Sequence, residues 1–167
     1  MMQKQTYKFC YGISSKTSDN QHVFMADFDG VNLNTVIHYM RRLQMDYNLS
    51  DIYIIESKNG FNCISLDKLT LNLIYSIGNN MEKADPNFYK YGFERGYYVL
   101  RFDKDKKLTD ILKNPSCKYN KSLAHTLFLR FFFNGLKIQT DFTFDNYTNF
   151  ELIKYHSKKN GYHNEKK

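Results

Sequence analysis

The sequence predicts an α+β fold in which a mixed or antiparallel sheet packs against helices on one face. Short runs rich in β-forming residues alternate with stretches whose apolar residues recur at helical spacing. A strong turn, Lys58-Asn59-Gly60, joins two of these runs directly and indicates a hairpin with antiparallel pairing. A doubly wound parallel sheet is disfavoured, because parallel neighbours need a long crossover connection.

The first half of the chain predicts two strands, a helix and the hairpin. In order, these are strands over Thr6 to Ile13 and His22 to Phe28, a helix after Asn32 or Asn34 that reaches Tyr47, and strands over Asp51 to Ser57 and Phe61 to Ser65. The helix is predicted because Asn is a good N-cap and because apolar residues follow it at helical spacing.

The second half predicts mostly helices around one strand. In order, these are helices over Leu66 to Ile77 and from Asp85-Pro86 to Gly96, a strand over Tyr97 to Phe102, a short helix over Leu108 to Leu112, a helix over Ser122 to Asn134, and a weakly alternating stretch over Leu136 to Phe144. Asp85 suits an N-cap, and Pro86 suits the first helical position. Residues 1–153 are expected to form one domain, and residues 154–167 a flexible basic tail.

Composition limits the function classes. The chain has 167 residues, 42% of them hydrophobic, and a net charge of +7, which favours a polyanionic partner such as nucleic acid. Cys10, Cys63 and Cys117 include no C-x-x-C pair, which argues against a zinc ribbon and for a reducing compartment. With no apolar run of roughly 20 residues, we expect no membrane span and a cytoplasmic location.

Two acidic residues end the second predicted strand, in the sequence Val23-Phe24-Met25-Ala26-Asp27-Phe28-Asp29-Gly30. Side chains at i and i+2 of a strand point to the same side, so Asp27 and Asp29 are expected to present two carboxylates together. Adjacent like charges are costly unless a cation neutralises them, and Mg²⁺ prefers carboxylate and phosphate oxygens. A polar turn after an edge strand is the alternative interpretation.

Further along, two segments carry groups suited to phosphate. The hairpin around Ser57 and Lys58 offers hydroxyl and backbone donors. The predicted strand that contains Arg101 and Asp103 places a guanidinium and a possible third carboxylate on one side. Three lysines follow closely, at positions 104, 106 and 107. An ordinary hairpin turn and an exposed Arg-x-Asp pair are the alternatives.

The order of acid pair, Ser-x-x-Gly hairpin and later acid resembles the archaeo-eukaryotic primase superfamily, in particular the small primase-polymerase domains of plasmids and viruses. The resemblance covers roughly residues 22 to 105. It implies an RRM-like sheet with an attached α/β unit, and primer synthesis or extension with Mg²⁺ or Mn²⁺ on a DNA template. It also implies nucleoside triphosphates as substrates, and a replication helicase as a possible partner.

The same resemblance assigns roles to individual residues. Asp27, Asp29 and Asp103 fall on the catalytic and metal-binding acids. Ser57, Lys58 and Arg101 are then candidates for nucleotide and phosphate binding. The family has a His that touches the incoming triphosphate, and Asn62 stands at that position here. Asn can donate a hydrogen bond to phosphate but cannot become cationic, so weakened activity or a charge supplied by Lys58 or Arg101 is expected.

Two other functions stay open. Asp27-Phe28-Asp29-Gly30-Val31 followed by Thr35 resembles the opening motif of haloacid-dehalogenase phosphatases, in which the first Asp is the nucleophile. That family has a parallel sheet, to which a hairpin after Ser57 is foreign. The second open function is binding of single-stranded nucleic acid without catalysis, with Tyr97, Tyr98 and Phe61 as candidates for base stacking.

Overall fold

The computed structural model of the protein describes residues 7–102, 105–116, 119–133 and 152–158, with only the backbone described for 7–11 and 152–158. These ranges contain strands and four helices. In chain order they are β1 (Tyr7–Ser14), β2 (His22–Asp29), α1 (Leu33–Tyr47), β3 (Ile52–Glu56), β4 (Gly60–Leu69), α2 (Leu71–Asn79), α3 (Pro86–Arg95), β5 (Val99–Phe102), β6 (Lys107–Leu112), α4 (Leu123–Phe132) and β7 (Leu152–Lys158).

The strands form two antiparallel sheets. One sheet has four strands in the order β2-β4-β3-β6, and the other has three in the order β5-β1-β7. Every pairing between the described strands is antiparallel. The predicted α+β class is therefore confirmed.

The centre of the four-stranded sheet is a split β-α-β arrangement. β2 and β3 both pair antiparallel with β4, so they run parallel to each other with β4 between them and α1 as the crossover. The predicted hairpin between β3 and β4 is confirmed, and the N–H of Ser57 donates to the carbonyl of Gly60 at 2.9 Å. The β2–β4 register places Asp27 opposite Asn62 and Asp29 opposite Gly60.

Both faces of the four-stranded sheet are buried. Val23 to Ala26 in β2 are completely buried, and so are Ile52 to Ile55 in β3 to within 1%. Because successive side chains of a strand point to opposite faces, a single layer of helices on one face does not account for this burial. The core draws on both sheets and on all four helices, through residues such as Ile13, Val36, Ile74, Tyr89, Leu100 and Leu129.

Two predicted helices are wrong in whole or in part. Residues 66–69 belong to β4, where Leu69 lies opposite His22 of β2, and the helix begins only after Thr70. The predicted short helix over Leu108 to Leu112 is the strand β6, which pairs with β3. In both cases pairing with a distant strand satisfies the backbone and outweighs the local spacing of apolar residues.

The predicted starts of the other three helices are confirmed by their N-cap residues. The side chains of Asn32, Asp85 and Ser122 accept hydrogen bonds from backbone N–H groups in the first turns of α1, α3 and α4. α3 ends at Gly96, whose φ of 89° suits glycine. Among the described residues, the helices are too short or too polar to cross a membrane.

The expected boundary at residue 153 falls inside β7, which pairs with β1 from Tyr7↔Lys158 to Ile13↔Leu152. Residues 154–158 of the expected tail are therefore part of a strand. The remainder of that tail and the stretch over Leu136 to Phe144 lie outside the described residues.

Candidate active site

A cleft of about 440 Å³ opens beside the end of β2. Six residues predicted for the site line it: Asp27, Asp29, Ser57, Lys58, Asn62 and Arg101. They come from both sheets, because Arg101 lies in β5 and the acid pair in β2. The seventh predicted residue, Asp103, lies outside the described residues.

Three carboxylates lie close together at the end of β2. Asp27, Asp29 and Asp85 each offer an oxygen within 4.8 Å of the other two. Asp85 is held by two contacts: its backbone N–H donates to the carbonyl of Asp27 at 3.0 Å, and its side chain accepts from the N–H of Asn87 at 2.9 Å. This close group of hard oxygen ligands is chemically suited to a divalent cation such as Mg²⁺ or Mn²⁺.

Asp27 has a raised pKa. Burial, the largest cause, and the neighbouring charges of Asp29 and Asp85 together raise this pKa to about 6, against the opposing charges of Lys106 and Arg101. A carboxylate whose pKa is raised in this way gains from a cation that stabilises its charged form.

Asn62 connects this acid to a base. Its amide nitrogen donates to Oδ1 of Asp27 at 2.6 Å, and its amide oxygen accepts a short hydrogen bond from Nζ of Lys106. Only 5% of Asn62 is exposed, so the amide is held firmly between its two partners. Asn62 thus contacts Asp27 and Lys106 directly.

The hairpin turn also lines the cleft. The N–H of Gly30, just after the acid pair, donates to the carbonyl of Asn59 at 2.9 Å and ties the turn to the end of β2. Gly60 allows this close approach, since a Cβ there would lie 1.8 Å from the carbonyl oxygen of Phe28. The turn thereby places Ser57 and Lys58 beside the carboxylates.

Sequence reasoning missed Asp85 as a site residue and did not single out Lys106. The sequence around Asp85 indicates a helix cap, and the structure confirms that role. Its position beside Asp27 is set by tertiary packing, which no local sequence pattern indicates. Lys106 is one of the three lysines that follow Asp103. The i+2 spacing in a strand that selected Arg101 and Asp103 as candidates gives no reason to select Lys106. Asp105 and Asn59 complete the polar lining.

The aromatic residues proposed for base stacking differ in exposure. Tyr98 is completely buried, so its assignment as a stacking platform is wrong. Phe61 is half-buried against the core. Tyr97 is half-buried, with Nζ of Lys16 4.7 Å and the guanidinium of Arg95 4.8 Å from its ring centre.

The arrangement can hold a cation on its carboxylates and an anion on its lysine and arginine side chains. A phosphate ester coordinated to a metal ion carries both charges. Comparisons of the chain with protein-family models, with curated proteins and with solved structures find no match.

Proposed function

We propose that the protein is a metal-dependent nucleotidyltransferase that synthesises or extends primers on a DNA template. One observation carries the proposal: the acid pair, the Ser-x-x-Gly turn and Arg101 line one cleft, although they are far apart in the chain. The acid pair and the turn are two of the three features on which the resemblance to the primase superfamily depends, and the third, Asp103, lies outside the described residues.

Asp27 and Asp29, with Asp85 beside them, would hold Mg²⁺ or Mn²⁺. The metal would supply Lewis-acid stabilisation of charge on the reacting phosphate. Asp85 is proposed as the third carboxylate from the described residues, and Asp103 stays a prediction.

Phosphate groups of a nucleoside triphosphate would lie against Lys58, Arg101 and Lys106, with Ser57 as a hydroxyl donor. The net charge of +7 supports a nucleic-acid template, because basic proteins gain affinity from neutralising phosphates. A replication helicase as partner stays a prediction.

The phosphatase alternative is less well supported. Its nucleophile would be Asp27, yet one oxygen of this carboxylate is held by Asn62 and burial favours its protonated form. The four-stranded sheet is also antiparallel throughout its described pairings, unlike the parallel sheet of that class.

The decisive test is primer synthesis with labelled nucleotides, a single-stranded template and Mg²⁺ or Mn²⁺. We expect product from the wild type and none from the Asp27→Ala/Asp29→Ala double variant. Asp46→Ala is the matched control, because Asp46 is an exposed acid of α1 that pairs only loosely with Arg42, at 3.9 Å. Equal product from wild type and double variant would reject the proposal, as would turnover of p-nitrophenyl phosphate that Asp27→Asn abolishes.

Tyr97 favours a second candidate, a protein that binds single-stranded nucleic acid without catalysis. Its ring and the two cations beside it are suited to a base and its phosphate. Three results together would select this function. Binding of single-stranded nucleic acid would be tight in the Asp27→Ala/Asp29→Ala variant, it would be lost in Tyr97→Ala, and no primer would be synthesised.

A further inference from the structure

Asn62 links an acid of the cleft to a lysine of the cleft. It donates to Asp27 through its nitrogen and accepts from Lys106 through its oxygen. A primary amide can do both at once, because it carries a donor and an acceptor on neighbouring atoms. Leu has nearly the same shape and can do neither.

Lys106 differs from the other cations of the cleft in how it is held. Lys58 and Arg101 are exposed, whereas Lys106 is half-buried and bonded to a side chain that is itself buried. Its charge is also the larger of the two cationic influences that lower the pKa of Asp27. A cation that is already ordered loses less side-chain entropy when it binds an anion.

We propose that Lys106 is the principal phosphate-binding cation of the cleft and that Asn62 positions both Lys106 and Asp27. The inference deepens the proposed function, on which it rests for the identity of the ligand as a nucleotide polyphosphate. Asn62 is a positioning residue, and its role is to connect the anion-binding and cation-binding halves of the cleft. The charge that a cationic His would supply comes from a lysine further along the chain.

Binding measurements separate the two halves. Isothermal titration calorimetry with tripolyphosphate reports the anion side, and electron paramagnetic resonance with Mn²⁺ reports the cation side. We expect Lys106→Met to weaken tripolyphosphate binding about 10- to 100-fold, the effect of losing one charge-assisted hydrogen bond, and to leave Mn²⁺ affinity within about twofold. Lys106→Arg should restore most of the anion affinity.

Asn62→Leu provides the readout that distinguishes positioning from simple charge. It removes no charge, yet we expect it to weaken both tripolyphosphate and Mn²⁺ binding by about tenfold, since both partners lose their hydrogen bond. Lys90→Met is the matched control, because Lys90 is an exposed lysine of α3 that does not line the cleft. Circular dichroism and thermal melting establish that each variant is folded.

The outcomes test the inference and the proposed function separately. If Lys106→Met binds tripolyphosphate like the wild type while Lys58→Met or Arg101→Met loses it, the inference is overturned and the proposed function stands. If the wild type binds neither probe, the inference is overturned as well. If the expected binding pattern appears but no primer is made, the inference stands and nucleotidyl transfer is rejected.

Discussion

Asp27 is a charge that the fold holds at a cost. It is mostly buried beside two other acids, and its pKa is raised from 3.8 to about 6. A folded-state pKa above the unfolded value means that ionisation destabilises the fold, and the effect is complete above the folded pKa. A binding site that is unfavourable without its ligand is a common compromise between stability and function.

Replacing this acid should therefore stabilise the protein while removing the proposed cation site. We expect Asp27→Asn to increase the free energy of unfolding by about 2 kcal/mol at pH 7.5 and to abolish Mn²⁺ binding. The Asn side chain can still accept from Asn62. Urea denaturation measures the first effect, with Asp46→Asn as a control that should change stability by less than about 0.5 kcal/mol. A destabilised Asp27→Asn would contradict this account.

His125 provides a pH dependence of the opposite kind. It is completely buried, with Nδ1 2.5 Å from Oγ of Ser122 and Nε2 2.7 Å from the carbonyl oxygen of Ser14. Burial lowers its pKa to about 4. Between pH 6.5 and 4 the unfolded chain therefore binds a proton that the folded chain does not, so stability falls as the pH falls through this window.

We expect this residue to account for about 2 kcal/mol of lost stability between pH 6.5 and pH 5. Urea denaturation of wild type and His125→Gln at both pH values isolates its share, because the other titrating groups are common to both. His38→Gln, at an exposed position of α1, should retain the wild-type dependence. Equal pH dependence of wild type and His125→Gln would show that this histidine does not titrate as described.

At the scale of residues, the sequence predicted those site residues whose grouping follows from the two-residue alternation of a strand. Asp27 and Asp29 lie two apart in a strand and meet at one cleft, as an alternation of two requires. Asp85 joins them from another part of the chain, and its neighbours in sequence are those of any helix cap. Its role depends on where α3 packs, which no local pattern contains.

Among the elements, those with a chemical start signal were predicted best. α1, α3 and α4 begin at side chains that cap them, and the β3–β4 hairpin has its turn at Lys58-Asn59. β6 and the second half of β4 have no such signal. Their apolar residues fit either helix or strand, and the choice is made by distant partners, β3 for one and β2 for the other.

The approach of β2 to the hairpin turn leads to a prediction for two glycines. A Cβ at residue 60 would lie 1.8 Å from the backbone oxygen of Phe28, so we expect Gly60→Ala to destabilise by at least about 3 kcal/mol. Gly30 has no atom within 4 Å of such a Cβ but a φ of 66°, so Gly30→Ala should cost only about 1 kcal/mol. Thermal denaturation compares them, and similar losses would contradict the described approach.

On the scale of the whole molecule, the described strands form two antiparallel sheets that share one core, and residues of both sheets line the cleft. The sequence predicted the α+β class because strands, helices and a hairpin are local features. It did not predict the division into two sheets. β1 pairs with β5 and β7 rather than with its neighbour in sequence, β2, and such long-range pairing has no signature in composition or spacing.

The net positive charge is a property of the whole molecule, and it predicts that template binding depends strongly on salt concentration. For a single strand, the logarithm of the binding constant falls with the logarithm of salt concentration by about 0.7 for each phosphate neutralised. Arg101 lines the cleft and, in the absence of a nucleotide, is available to a phosphate of the strand, so we expect Arg101→Met to reduce this slope by about that amount in fluorescence anisotropy titrations with labelled single-stranded DNA. Arg42→Met, on α1 and away from the cleft, is the control, and an equal reduction there would argue against template contact at the cleft.

The backbone hydrogen bond from Asp85 to Asp27 has a consequence for the order of folding. The three carboxylates come together only when α3 has docked beside β2, because Asp85 caps that helix and the other two lie in the strand. A partly folded chain with the β2–β4 pairing alone holds just two of them. The proposed cation binding would therefore follow the docking of α3, and interactions absent from the folding transition state slow unfolding without accelerating folding. A bound metal would therefore slow the unfolding of the native protein and leave its folding rate unchanged.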